Sequence, residues 1–266
     1  MLTIRSFFNL TQFPHTTLFS DNDPVWTPLN RLKEYMDNFA FPEYSRELGA
    51  ENGPLQEHII IYENTILKNR SCRIIFGDTT KGKLQVEKDG KTLDGAAVIM
   101  AGAVLMGDNI SIGRGVLVES GAMIKSPAII DDMTEIRQGA YLRGYVLAGK
   151  RCVLGHTTEI KHSIFLDDAK AGHFAYLGDS ILGNNANLGA GTKFANLKFL
   201  PGNVTIFHKG EKFDTGRRKF GAILGDNAQT GCNSVTSPGT LMGKQTILLP
   251  NTTAKGGYHP DKSILR

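Results

Sequence analysis

Residues 112–142 read IGRGVLVESGAMIKSPAIIDDMTEIRQGAYL, and within them Ile112, Val118, Ile124, Ile130, Ile136 and Leu142 stand six positions apart. A small or aliphatic residue follows four places after each: Val116, Ala122, Ala128, Thr134, Ala140 and Val146. Such a hexapeptide period marks a parallel β-helix, in which each short strand stacks one side chain inward and successive turns bury a continuous core. The step returns at Leu224, Thr230, Thr236, Met242 and Leu248. The predicted fold is therefore all-β, a β-helix over residues 93–252.

Working outward, the period slips near residues 147–154 and 173–181, and it is absent from an insertion at 192–222. Loops that break a regular scaffold are where function concentrates. Within the insertion, Asn203–Phe207 and a turn at Lys209-Gly210 suggest a protruding hairpin. Residues 57–92 are rich in strand patterns (His58–Tyr62, Cys72–Phe76, Lys83–Glu87) with a turn at Asp89-Gly90. They read as a first irregular turn or a cap, since an open solenoid end exposes unpaired strand edges. Residues 1–56 form a helical segment. Thr27 reads as an N-cap with Pro28 at the first helical position, and Leu29, Leu32, Met36 and Phe39 follow at helical spacing before Phe41-Pro42 ends the helix. This one-sided helix is expected to pack on the main domain or on a partner. Residues 253–266 are expected to be a tail.

The 30 glycines among 266 residues suit a fold with frequent tight corners. A net charge of +4, with basic residues clustered only around Lys209–Lys219, favours small anionic molecules over nucleic acid. Three distant cysteines without a CxxC pair indicate neither a disulfide framework nor a zinc knuckle. No signal peptide or membrane-length apolar run is seen, so the expectation is a cytoplasmic protein with no membrane partner.

The segment Lys170-Ala171-Gly172-His173-Phe174-Ala175-Tyr176-Leu177-Gly178-Asp179, followed by Asn184–Thr192, breaks the hexads. It resembles the acetyltransferase domain of the bifunctional glucosamine-1-phosphate acetyltransferase/N-acetylglucosamine-1-phosphate uridyltransferase, with the similarity covering roughly residues 95–250. Thr215–Gly221 is similar to the archaeal-type sugar-phosphate nucleotidyltransferase/acetyltransferases. The resemblance implies a left-handed winding, a homotrimer and acetyl-CoA as co-substrate. It matches His173 to the catalytic base; Arg143, Lys161 and Tyr176 to the groups that hold a sugar phosphate; and Asn187 and Asn196 to contacts with the amino sugar. Ala190, Cys232 (in place of a serine) and Pro250 (near a position usually held by a small residue) fall along the acetyl-CoA path.

The chemistry of these residue types agrees. Arginine offers a bidentate fork to a phosphate, lysine a point charge and tyrosine a hydroxyl. Acylating an amine that arrives as ammonium needs a base of suitable pKa, which histidine supplies. A backbone N–H of the Gly189-Ala190-Gly191 turn is a candidate for stabilising the oxyanion. The resulting expectation is an N-acetyltransferase on an amino-sugar 1-phosphate, foremost glucosamine 1-phosphate, feeding sugar-nucleotide and envelope synthesis. The alternatives are another amino-sugar phosphate, a nucleotide-linked amino sugar, or a non-catalytic trimeric partner of a separate nucleotidyltransferase chain docking on residues 1–56.

Each residue also has a structural reading: a ladder ion pair for Arg143, a solvated rim position for Lys161, a small groove residue for Cys232. His156, His162 and His173 raise the question of zinc, as in related trimers that hydrate carbon dioxide, although their spacing alone closes no site; no metal is expected. Among the basic residues of the insertion, including Arg217, some are candidates to meet CoA phosphates. Nothing in residues 1–56 resembles a Gly-rich pyrophosphorylase loop, and Leu197-Lys198-Phe199 departs from the tyrosine-aspartate-glycine turn usual after Asn196.

Overall fold

A computed structural model describes residues 2–49, 53–68 and 72–266. The hexapeptide region is a parallel β-helix of three faces, built from two eight-stranded sheets and one eleven-stranded sheet. Face one carries Tyr141–Arg143, Glu159–Lys161, Tyr176–Gly178 and Lys193–Phe194; face two carries Ala128–Ile130, Val146–Ala148, Ser163–Phe165 and Ala222–Leu224; face three carries Val153–His156, Lys170–His173, Asn187–Leu188 and Gln229–Thr230. Strands two residues deep in the period alternate their side chains, so Ile124, Ile130, Ile136 and Leu142 point inward and are fully buried in one cluster.

The slips in the period are turns one residue shorter. Glu135 pairs with Val153, 18 residues on, whereas Val153 pairs with Lys170 and Lys170 with Asn187, each 17 on. Residues 253–266, expected to be a tail, complete a further turn: Thr253–Ala254, Gly257–His259 and Ile264–Leu265 pair on all three faces. The insertion leaves the solenoid between face one and face two. Lys193–Phe194 still belongs to face one, the hairpin Thr205–His208/Glu211–Asp214 stands within the excursion, and the path resumes at Ala222.

Face two differs from the others on its outer side. Ile129, Leu147, Ile164, Ile181, Ile223 and Leu241 point away from the core yet are buried, because the N-terminal segment lies over them. Ile4, Phe7, Leu29, Leu32 and Met36 supply its apolar contacts, at 0–1% exposure. Helix Thr27–Asp37 has Trp26 at its cap position, not Thr27, and it ends at Asp37, before the Phe41-Pro42 break. Thr27 sits inside the first turn because Trp26 is held in helical backbone at φ −88° and ψ −8°. The apolar face of that helix is thus spent on its own solenoid and is not offered to another chain.

The N-terminal end of the solenoid is closed on all three faces, on face one by an antiparallel bridge between Pro54 and Val104. Ile59–Tyr62 pairs antiparallel with Ala97–Ile99 and with Thr65–Lys68, a capping hairpin on face three. On face two, the Tyr44 hydroxyl donates to Ile112 O (2.9 Å) and accepts from Ile112 N (3.0 Å), while Ser45 Oγ accepts from Ile110 N (2.7 Å). Side chains there substitute for the missing strand. Cys72–Ile75, Gln85–Lys88 and Lys91–Thr92 form a separate small sheet. Among the described residues, no helix is long and apolar enough to cross a membrane.

Since Phe7 is 1% exposed against the outer side of face two, Phe7→Ala is expected to lower stability by about 3–5 kcal/mol. Urea denaturation checks this; a loss below about 1 kcal/mol would mean that the N-terminal segment is a loose appendage.

Candidate functional site

The edge between face three and face one is built from a repeated corner. At each turn the residue after the last face-three position adopts a left-handed conformation: Thr157, Phe174, Gly191, Asn233 and Asn251 have φ between 51° and 76°. The N–H of each donates to a carbonyl one turn earlier: Thr157 to Gln138 (3.2 Å), Phe174 to His156 (2.9 Å), Gly191 to His173 (3.0 Å), Asn233 to Ala190 (2.8 Å) and Asn251 to Cys232 (2.9 Å). This ladder fixes the register, and it stacks Gln138, His156, His173, Ala190, Cys232 and Pro250 in a single column along the edge. The pairing His156↔His173 in the strands below agrees. The expected base and all three residues expected along the acetyl-CoA path therefore share one line, although the insertion separates Ala190 from Cys232 in sequence.

Glycines keep the column narrow. A Cβ on Gly155 would lie 1.9 Å from Gly172 O, and one on Gly189 would lie 2.5 Å from Cys232 N. His173, Cys232 and Pro250 are exposed, so a single chain presents the column as a ridge. In the turn beside it, the N–H groups of Gly189 and Gly191 are taken by Thr230 O and His173 O. Among the described residues nothing accepts from Ala190 N–H. His156 Nδ1 lies 2.9 Å from Gln138 O, which fixes that ring with Nε2 free, and its ring packs edge-on against Phe174 at 5.2 Å.

Face one brings together the residues expected to meet a phosphate. Leu142 pairs with Ile160 and Lys161 with Gly178, so Arg143, Lys161 and Gly178 follow one another along the outer surface. Arg143 donates to Glu159 Oε1 at 2.6 Å, an exposed ladder ion pair that further stabilises its charge. Tyr176 OH is 3.5 Å from Asn196 Oδ1, the long end of hydrogen bonding. Burial, then the Glu159 and Asp179 carboxylates, push the Tyr176 phenol above its usual range, so it remains a protonated donor. A Cβ on Gly178 would lie 2.4 Å from Asn196 Nδ2 and 2.8 Å from Tyr176 OH; only glycine leaves room for that pair. Asn187 does not join this group. It lies on face three, paired with Lys170 and Gln229.

The geometry bears on the histidine question and changes one sequence expectation. His162 sits at the corner between faces one and two, away from His156 and His173, so the three histidines do not converge. Arg217 is no free cation for CoA: its side chain is 14% exposed and donates to Asp179 Oδ1 at 2.6 Å. Asp179 had no role in the sequence reading, because its partner is supplied by an insertion that lacks the period. Lys212 lies over the Phe207 ring on the outer hairpin, with its Nζ 5.9 Å from the ring centre, as a surface residue does.

Comparison with known proteins finds similarity within this region. Residues 125–233 match the family described as the GMPPB C-terminal domain. The chain is 36% identical over 111 residues to a bifunctional sugar-1-phosphate nucleotidylyltransferase/acetyltransferase of Sulfurisphaera tokodaii, covering 42% of this chain and 28% of that one. It is 39% identical over 112 residues to the bifunctional protein GlmU of Methanococcus vannielii, covering 42% and 27%. The chain spans little more than a quarter of the length of these relatives. Among solved structures, UDP-N-acetylglucosamine acyltransferase of Francisella novicida aligns at 16% identity and a TM-score of 0.34, covering 59% of this chain and 56% of that one.

Burial, with the Arg217 charge second, lowers the His162 pKa from 6.5 to about 4. A group whose folded pKa lies below its unfolded value favours unfolding where only the unfolded chain binds the proton. Stability is therefore expected to fall as pH drops from about 6.5 towards 4. A His162→Gln variant is expected to flatten that part of the curve; an unchanged slope in urea midpoints would assign the loss to other groups.

Proposed function

We propose that this chain is an acetyl-CoA-dependent N-acetyltransferase acting on an amino-sugar 1-phosphate, with glucosamine 1-phosphate the foremost acceptor. The column of His173, Ala190, Cys232 and Pro250, held by one hydrogen-bond ladder, carries the reading. It aligns a basic group with a strip of small and apolar positions suited to an extended thioester. The relatives from Sulfurisphaera tokodaii and Methanococcus vannielii support the same class.

In this reading the phosphate lies against face one, where Arg143 and Lys161 supply charge and Tyr176 a hydroxyl donor. Asn196 offers a carboxamide acceptor to the sugar, and Asn187, on face three, is assigned to the amino group. His173 takes a proton from the ammonium, and the freed amine attacks the thioester carbonyl. The C–N bond forms as the carbonyl electrons move onto oxygen, where the free Ala190 N–H is the donor placed to receive them. The tetrahedral species collapses and the C–S bond breaks; the proton on His173 passes to the departing CoA sulfur, and the acylated nitrogen releases its extra proton to solvent, so that one proton is freed per turnover.

The exposed ridge calls for a neighbour, and a homotrimer in which an adjacent subunit walls the column fits that need. The assembly works in the cytoplasm, where acetyl-CoA is made and used. A non-catalytic scaffold docked through residues 1–56 is disfavoured, because that helix buries its apolar face on its own solenoid.

Release of free CoA, followed with acetyl-CoA and a panel of amino-sugar phosphates, tests the activity. His173→Ala is expected to reduce the rate by about 10²–10⁴-fold; a wild-type rate no higher than that of the variant would sink the assignment. The thiols provide an independent check. Cys152 is buried and its pKa is pushed up by burial, whereas Cys232 is exposed. In a Cys72→Ser background, maleimide is expected to label Cys232 alone, and acetyl-CoA to slow that labelling. Labelling that acetyl-CoA leaves untouched would place the co-substrate elsewhere.

A further inference from the structure

Asn196 belongs to the site expected from the sequence, but what holds it comes from two distant parts of the chain. Its Nδ2 donates to Asp179 Oδ2 at 2.8 Å, and Asp179 Oδ1 accepts from Arg217 at 2.6 Å. Asp179 is 4% exposed and stands at φ +52°, an uncommon conformation for a non-glycine residue. Arg217 is pinned in turn: its Nη1 donates to Leu29 O (2.9 Å) and to Asn30 Oδ1 (3.2 Å), and its Nε donates to Lys219 O (3.1 Å). Its remaining Nη2 contact is to His162 Nδ1 at 3.3 Å, so that nitrogen is the acceptor and carries no proton.

A carboxamide can turn either its oxygen or its NH2 outward. Here the buried Asp179 carboxylate accepts only, so it takes the NH2 and leaves Oδ1 on the outer side, next to Tyr176 OH. Arg217 fixes which way Asp179 faces, and a planar fork can span Asp179 and the helix carbonyl at once where a lysine ammonium cannot. We infer that Arg217 and Asp179 are positioning residues that hold Asn196 with its carbonyl oxygen presented to a hydroxyl or amine donor of the acceptor sugar, and that the N-terminal helix anchors this relay. The inference rests on the acetyltransferase reading for its consequence in turnover, and on geometry alone for the orientation of Asn196.

Two readouts separate these. In kinetics with the full chain, Arg217→Lys is expected to raise KM for the amino-sugar phosphate about 10-fold, the loss of one charge-assisted hydrogen bond, with KM for acetyl-CoA unchanged. In an Asn196→Ala background the same change is expected to have no further effect on KM. Equal effects in both backgrounds, or a shift in the acetyl-CoA KM instead, would overturn the relay. In NMR, the side-chain NH2 signals of Asn196, identified by their loss in Asn196→Ala, are expected to exchange slowly in the wild type and about 10-fold faster in Arg217→Lys and in Asp179→Asn. Unchanged exchange in folded variants would overturn the inference even if the chain acetylates sugars. Slow exchange in the wild type and faster exchange in the variants, in a protein without transferase activity, would retain the relay and reject the function.

Discussion

Every turn of this solenoid shares backbone hydrogen bonds with the turns on either side. Strand N–H groups such as that of Tyr176 donate forward (to Thr192 O), and corner N–H groups such as that of Phe174 donate back (to His156 O). That ladder is the constraint on which the rest depends. It leaves no freedom of register within the body: a residue's place on its turn determines its neighbours above and below. The stacking of His156, His173, Ala190 and Cys232 follows from this, since their carbonyls form successive rungs. The same constraint makes the ends costly, because a terminal turn has rungs with no partner. Tyr44, Ser45 and the hairpin beginning at Ile59 supply those partners at the N-terminal end.

The inward positions are occupied mostly by small and aliphatic side chains, with Phe165 and Phe194 among them, that fill the prism, and two of the outer faces are polar. Face two is the exception. Its outward aliphatic row would be an exposed apolar patch on an isolated solenoid, and the N-terminal segment removes it from water. The covering is also chemically connected to the candidate site, through Leu29, Asn30 and Arg217. A segment expected to pack on the main domain or on a partner covers face two of its own solenoid and, through Arg217 and Asp179, is linked to Asn196.

The six-residue step made the fold legible because each inward position demands an aliphatic or small residue, a demand that local sequence displays directly. It also located the slips and the insertion. The residues of the site were legible only through resemblance: nothing in the spacing of Ala190 and Cys232 shows that they stack, since the insertion lies between them. The turn Thr253–Leu265 was missed because its inward residues, Ala254 and Leu265 among them, are few and its face-two strand is Gly-Tyr-His. Asp179 and Arg217 were beyond reach for a different reason. Their pairing is long-range, and a buried ion pair leaves no periodic trace. His162 raised the question of a metal by residue type alone; burial and the Arg217 charge keep it neutral, against the pull of the Asp179 carboxylate.

The central claim is that one column of stacked corners guides the acyl donor to His173. Diffraction from crystals grown with a non-hydrolysable acetyl-CoA analogue tests it most directly. The account predicts an extended pantetheine chain along Pro250, Cys232 and Ala190 with its acyl carbon beside His173. Analogue density confined to the cleft lined by Tyr44, Tyr62 and Arg114, with the column bare, would contradict it.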